Sequence, residues 1–265
     1  MEVLARLSPS FLSHLRIVAG REYTLTAVDD WESLAAAVRS HPTDVVVVDP
    51  RDAGGMRVEE LGSLLGRYPS LPVVVYTMLS PEAMRASVEL AKYGVQHVVL
   101  RGYDDEPRRF RTLLERLPAY ALSEQVLTGL AARLDGAPPS LLRAVERLFR
   151  SPHAFHDVQD LAVAAGMTRR SLDRWLDRTG VAPAKMLVIG ARLLRAYHYM
   201  RDPGYLLEDV AAKLGYPTPR LFARQMRLAT GLMPSAVRER VAPDRFVAAL
   251  GARLCQRGGD SGNGW

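Results

Sequence analysis

Short runs of β-branched residues set the rhythm of the first half of the chain. Asp44-Val-Val-Val-Val-Asp49, Leu71-Pro-Val-Val-Val-Tyr-Thr77 and Val95-Gln-His-Val-Val-Leu100 lack polar alternation, the pattern of strands covered on both faces in a parallel sheet. Residues 3–7 and 23–28 read as two weaker strands. Stretches of helical period lie between them at 11–20, 31–40, 58–68 and 81–93. Five strands alternating with helices predict an α/β, flavodoxin-like domain, a doubly wound five-stranded parallel sheet.

The second half has no such runs and is helical throughout. It also repeats itself at an offset of 49 residues. Leu161-Ala162-(x)3-Gly166-Met167-Thr168 recurs as Val210-Ala211-(x)3-Gly215-Tyr216-Pro217, and each copy closes with Thr-Gly-x-x-Pro, at Thr179–Pro183 and Thr230–Pro234. In the first copy Asp157, followed by Asp160, is placed to cap a helix. Gly166 supplies a tight turn, and Thr168 caps a second helix. That helix buries Leu172, Trp175 and Leu176 and turns Arg169, Arg170, Asp173 and Arg174 outward. In the second copy Phe222 and Met226 face inward, while Arg220, Arg224 and Arg227 share the outer face. From Pro183 to about Arg201 runs a linking helix of about 19 residues, roughly 28 Å long. That separation suits two helices entering successive turns of a major groove with a repeat of about 34 Å.

Charge sharpens this picture. The net charge of +6 over 265 residues is unevenly spread. Residues 1–135 hold 15 basic and 18 acidic side chains, a net of −3, whereas residues 136–240 hold 17 and 9, a net of +8. A basic block confined to one domain is the distribution expected of a polyanion binder. No apolar run reaches the roughly 18 residues of a membrane span, and the start lacks a leader pattern, so a cytoplasmic protein with no membrane partner is expected. A single cysteine, Cys255, excludes a disulfide framework and a cysteine zinc site. The six histidines lack metal-ligand spacing and nothing forms a catalytic dyad, so no metal, no cofactor and no enzymatic activity are expected.

The first half resembles the receiver domain of bacterial response regulators over about 115 positions. Asp44–Asp49 looks like its third strand with the terminal phospho-acceptor, Thr77 matches the hydroxyl ending the fourth, and Arg101 stands where that family has lysine. The family also places carboxylates after the first strand to hold magnesium, but here that turn reads Leu7-Ser8-Pro9-Ser10. Asp29 and Asp30 belong after the second strand. The expectation is a degenerate receiver in which Asp49 serves as a strand-end or helix-capping residue. Phosphorylation on Asp49 is the alternative.

Residues 139–240 resemble the AraC/XylS transcription regulators. Leu161-Ala-x3-Gly-Met-Thr168, Leu172-x-Arg174, Thr179-Gly-x-x-Pro183 and Ala191-Arg-Leu-Leu-Arg-Ala196 match the first unit and linker helix. Gly215-Tyr-x-Thr218, Leu221-Phe222-x-Arg224 and Gly231-x-x-Pro234 match the second. The resemblance implies double-stranded DNA as partner, with Thr168, Arg169, Arg170 and Arg174 from one unit and Thr218, Arg220, Arg224 and Arg227 from the other at the DNA. Arg195 and Arg201, on or near the linker helix, are expected to meet phosphates or nothing.

The organisation expected is therefore a receiver-like domain over 1–118, a helical connector over 119–138, a DNA-binding domain over 139–240, and a final helix with a flexible tail over 241–265. The connector's apolar stripe, Leu122, Val126, Leu127, Leu130 and Leu134, fits either a helix packed on the receiver-like domain or a dimerising segment. The function expected is a transcription regulator controlled by homodimerisation or partner binding, with RNA polymerase a further possible partner. The rival from another class is an interaction module acting on another regulator or RNA polymerase without DNA.

Overall fold

The computed structural model describes residues 1–20, 23–52, 55–115, 117 and 121–255. The chain divides into two units, one of Met1–Ala119 with Asp202–Tyr205, the other of Tyr120–Arg201 with Leu206–Trp265.

The first unit is built on five parallel strands, β1 (Glu2–Arg6), β2 (Thr24–Ala27), β3 (Val45–Val48), β4 (Val73–Thr77) and β5 (His97–Leu100), in the order β2-β1-β3-β4-β5. The strand order reverses between β1 and β3. Helices α1 (Pro9–Ala19), α2 (Trp31–Ser40), α3 (Val58–Arg67) and α4 (Pro81–Ala91) form the crossovers, and α5 (Pro107–Glu115) follows the last strand. All four valines of β3 are fully buried, as an uninterrupted β-branched run between two helical layers requires. Asp30 accepts from the Ser33 amide (2.6 Å) to cap α2, and Ser80 from the Ala83 amide (3.1 Å) to cap α4. This places Asp29 and Asp30 after the second strand, as their spacing predicts. Tyr76 of β4 lies between Phe11 of α1 and Phe110 of α5, so these two helices cover one face of the sheet. The Tyr76 hydroxyl donates to the buried Asp105 (2.6 Å), which also bonds His14 Nε2 (2.8 Å) and the Gly102 amide (2.8 Å). Burial opposes the Asp105 charge, but these bonds outweigh it and hold the carboxyl below its ordinary range. The turn into α5 is thereby pinned to the sheet. A short antiparallel hairpin, Arg51–Asp52 with Gly55–Met56, follows β3 where no strand was expected.

The second unit is all α: α6 (Ala121–Arg133), α7 (Pro139–Arg150), α8 (Val158–Ala164), α9 (Arg169–Thr179), α10 (Ala184–Arg201), α11 (Leu207–Lys213), α12 (Pro219–Thr230), α13 (Pro234–Arg240) and α14 (Pro243–Leu254). The 18-residue α10 is its axis, about 27 Å long and buried over most of its length. Three guanidiniums stitch the unit by donating to backbone carbonyls: Arg192 to Phe155 and His156 (both 2.8 Å), Arg195 to Arg150, and Arg253 to Leu228 (2.7 Å). Tyr197 stacks on Phe246 of α14 with ring centroids 4.3 Å apart and donates to the Val241 carbonyl at 2.6 Å.

One expectation changes here and another is narrowed to one of its alternatives. The stripe assigned to a connector belongs to this unit: α6 buries Val126 and Leu130 against α14 and α7, and Ser123 donates to the Phe149 carbonyl (3.0 Å). It gains more by closing the helical core than as a free stripe, because each buried leucine or valine contributes about 1.5–3 kcal/mol. Arg195 is also unavailable to phosphate, being only 5% exposed and committed to a helix-terminal carbonyl. The expected final helix is α14, and the tail after it lies outside the described residues. Among the described residues no helix is long and apolar enough to cross a membrane.

Candidate nucleic-acid interface

The 49-residue repeat is a repeat of backbone geometry. Gly166 and Gly215 both sit at left-handed φ, 64° and 70°, which costs a glycine little and a Cβ-bearing residue more. In each copy the residue after the glycine reaches back to a buried alanine: Met167 N to Ala162 O and Tyr216 N to Ala211 O, both 3.0 Å. These 6→1 bonds satisfy carbonyls left open at the ends of α8 and α11. The chain then turns into α9 or α12.

Both second helices begin on a threonine. Thr168 Oγ1 accepts from the Ser171 amide and Thr218 Oγ1 from the Leu221 amide, each at 3.2 Å. Both end on left-handed glycines, Gly180 and Gly231. Counted from these caps, the side chains fall into register. Leu172 and Phe222, four past the cap, are buried, as are Leu176 and Met226, eight past it. Arg170 and Arg220, two past the cap, and Arg174 and Arg224, six past it, are exposed. Because the second turn holds one more residue, Pro217, the repeat offset grows from 49 to 50 exactly where the register of the arginines is set, so the two helices present guanidiniums at matching positions.

Arg170, Arg174, Arg220, Arg224 and Arg227 have no ion-pair partner among the described residues. Arg169 is different: its Nε lies 4.0 Å from Asp173 in an exposed pair, which contributes little to stability. Asp173 thus faces Arg169. Arg227 has no basic counterpart, since Asp177 holds the same register in the first copy. Thr168 and Thr218 have their hydroxyls engaged in capping, which leaves their part in any DNA contact secondary to positioning the helix. Arg178, which the sequence pattern had not singled out, lies over the half-buried Trp175 ring (5.1 Å) and shields it.

In the first unit the residues at the carboxyl ends of β1 and β3 form a second polar cluster. Asp49, 7% exposed, is gripped by Arg51, whose Nε reaches both carboxylate oxygens (3.1 Å each) and whose Nη2 reaches Oδ2 (2.7 Å). The Arg51 amide (3.1 Å) and Thr77 Oγ1 (3.0 Å) donate to Oδ1 as well. Asp49 is therefore a strand-end residue that fixes the following loop, and it caps no helix. A magnesium ion does not fit this donor set, because a guanidinium already neutralises the carboxylate and Arg6 reaches the backbone carbonyls of Asp49 (3.3 Å) and Arg51 (3.4 Å). Arg101 lies 4.8 Å over the Phe11 ring.

Comparison with the curated proteins gives no match. Among solved structures the chain is similar to full-length FixJ from B. japonicum, at 19% identity and a TM-score of 0.36, over 81% of this chain and 96% of that one. Residues 161–240 match the family model of a helix-turn-helix domain. The carboxy-terminal unit therefore carries an AraC-type, DNA-binding helix-turn-helix domain of the kind that serves transcription regulation.

Proposed function

We propose that the protein is a sequence-specific transcription regulator that reads two successive major-groove segments of double-stranded DNA with α9 and α12. The observation that carries this is the matched register of Arg170 with Arg220 and Arg174 with Arg224, exposed on two helices with identical caps. A guanidinium so placed makes paired hydrogen bonds to a guanine edge, worth about 1–3 kcal/mol of base discrimination, whereas a phosphate contact is blind to sequence. Control runs through the α/β unit by homodimerisation or partner binding in place of phosphorylation, a reading supported by the capture of Asp49 by Arg51.

Selection of random DNA by the full chain tests the readers. Arg174→Ala and Arg224→Ala should each flatten base preference at one or two positions, the two sets lying about one helical turn apart, and weaken the cognate site roughly 5- to 150-fold. An unchanged motif in both variants would remove these arginines as readers.

A further inference from the structure

We propose that the α/β unit binds a small oxyanion, the phosphate or carboxylate group of a diffusible effector, in the cavity at the carboxyl ends of β1 and β3. This rests on the reading that the unit controls the regulator without being phosphorylated. The sheet reverses its strand order between β1 and β3, and in open α/β sheets ligands settle in the crevice outside the strand ends at such a switch point. A cavity of about 430 Å³ lies there, within the range of small-molecule sites.

The lining gives the chemistry. Arg6, Ser8, Phe11, Asp29, Asp49 and Arg51 surround the space. Arg6 is 91% buried on the strand that ends in the cavity and lies 4.6 Å over the Trp31 ring. Its bonds to the Asp49 and Arg51 carbonyls hold it in place. Arg51, with its side chain 31% exposed, is the guanidinium the solvent can reach. With Asp49 and Asp29 the empty lining is formally neutral, so an incoming oxyanion binds by exchange: it replaces Asp49 on the Arg51 fork, a planar geometry that matches carboxylate and phosphate alike. Asp49 keeps its bond from Thr77. Arg51 begins the hairpin strand after β3, where it pairs with Met56, so the exchange of partner is felt at that strand.

The test uses full-length protein carrying Trp175→Phe and Trp265→Phe, which leaves Trp31, beside Arg6, as the only tryptophan of three. Inorganic phosphate and acetate are titrated against sodium chloride of equal ionic strength, and Trp31 fluorescence is read. A saturable change beyond the chloride control is expected, and whichever anion acts at lower concentration identifies the group as phosphate or carboxylate. Arg51→Gln should weaken it at least tenfold. Arg51→Lys, which keeps the charge without the fork, should fall between the two and guards against simple misfolding, which circular dichroism checks. Asp49→Asn should tighten binding severalfold, because the competing carboxylate is gone. Absence of a saturable change, or an equal change in Arg51→Gln, overturns the proposal. If only acetyl phosphate with magnesium produces a response and Asp49→Asn abolishes it, Asp49 is a covalent acceptor, and the reading of an unphosphorylated unit fails with the inference. Phosphate binding lost while acetyl phosphate also does nothing overturns the inference alone.

Discussion

The two helix-turn-helix copies share a backbone and differ in what holds it. The first is fastened by polar local bonds. Asp157 caps α8, accepting from the amides of Gln159 (2.7 Å) and Asp160 (3.1 Å), while Asp160 accepts from the His156 and Asp157 amides in return. The second copy has Leu206 in that place, exposed and without a capping side chain, and only the return half remains, Asp209 accepting from the Leu206 amide at 2.9 Å. It leans instead on bulk: Tyr216 packs on Phe222 with centroids 5.3 Å apart, where the first copy has Met167 and Leu172. The outer faces diverge too, α9 carrying Asp173 and Asp177 among its arginines and α12 carrying arginines without acids. One backbone plan is thus met once by hydrogen bonds and once by aromatic burial, and the two solutions should fail under different insults.

The largest separation is expected in the cores. Phe222→Ala should cost about 3–5 kcal/mol against roughly 2–5 for Leu172→Ala, measured by chemical denaturation, since the ring buries more area and leaves the larger cavity. A cost below about 1 kcal/mol for Phe222→Ala would break the view that aromatic packing seats the second copy.

Acid should act on both copies at once, through the helix they share. His198 of α10 is half-buried, and burial, reinforced by nearby Arg195, pushes its pKa down to about 3. An unfolded histidine takes up its proton near pH 6.5, so stability from this group is fully present above that value and is lost as pH falls from about 6.5 towards 3. The loss is about 1.4 kcal/mol per pH unit, roughly 3 kcal/mol by pH 4. Denaturant midpoints at pH 7 and 4.5 should diverge in the native chain and diverge less in His198→Gln. Equal divergence would remove His198 as the source.

The smallest effect is the most specific. Asp157→Ala should destabilise by about 1 kcal/mol, whereas Leu206→Asp, at an N-cap with φ −78° and ψ 160°, should stabilise by a similar amount. If Leu206→Asp lowers the melting temperature, the second copy does not need the cap it lacks.

What the sequence disclosed follows from the range of the forces involved. Left-handed glycines, threonine caps and β-branched strands are local signals, so the turns at Gly166 and Gly215, the starts of α9 and α12 and the positions of the five strands along the chain could be read residue by residue. The exposed arginines followed from helical period alone. Arg195 did not, because an arginine in a helix looks the same whether it meets phosphate or, as here, a carbonyl 45 residues earlier. The stripe of α6 was visible but its partner was not, since α14 lies more than a hundred residues later. Arg51 stands two residues from Asp49, and their pairing was missed because strand-end geometry, which decides whether such neighbours face each other, leaves no periodic trace.

The packing of α6 on α14 has a consequence for how the reader can be handled. The first and last helices of the all-α unit lie against each other, with Cys255 Sγ 4.0 Å from the carbonyl of Gly129 in the middle of α6, so a segment of some 130 residues ends about 12 Å along α6 from where it starts. A module whose ends lie this close can be spliced into a loop of another protein without being stretched, and its own termini can be joined and reopened elsewhere by circular permutation. Trimming it to the bare repeat would strip both closing helices from the core, so the transplantable cartridge starts at α6 and ends with α14.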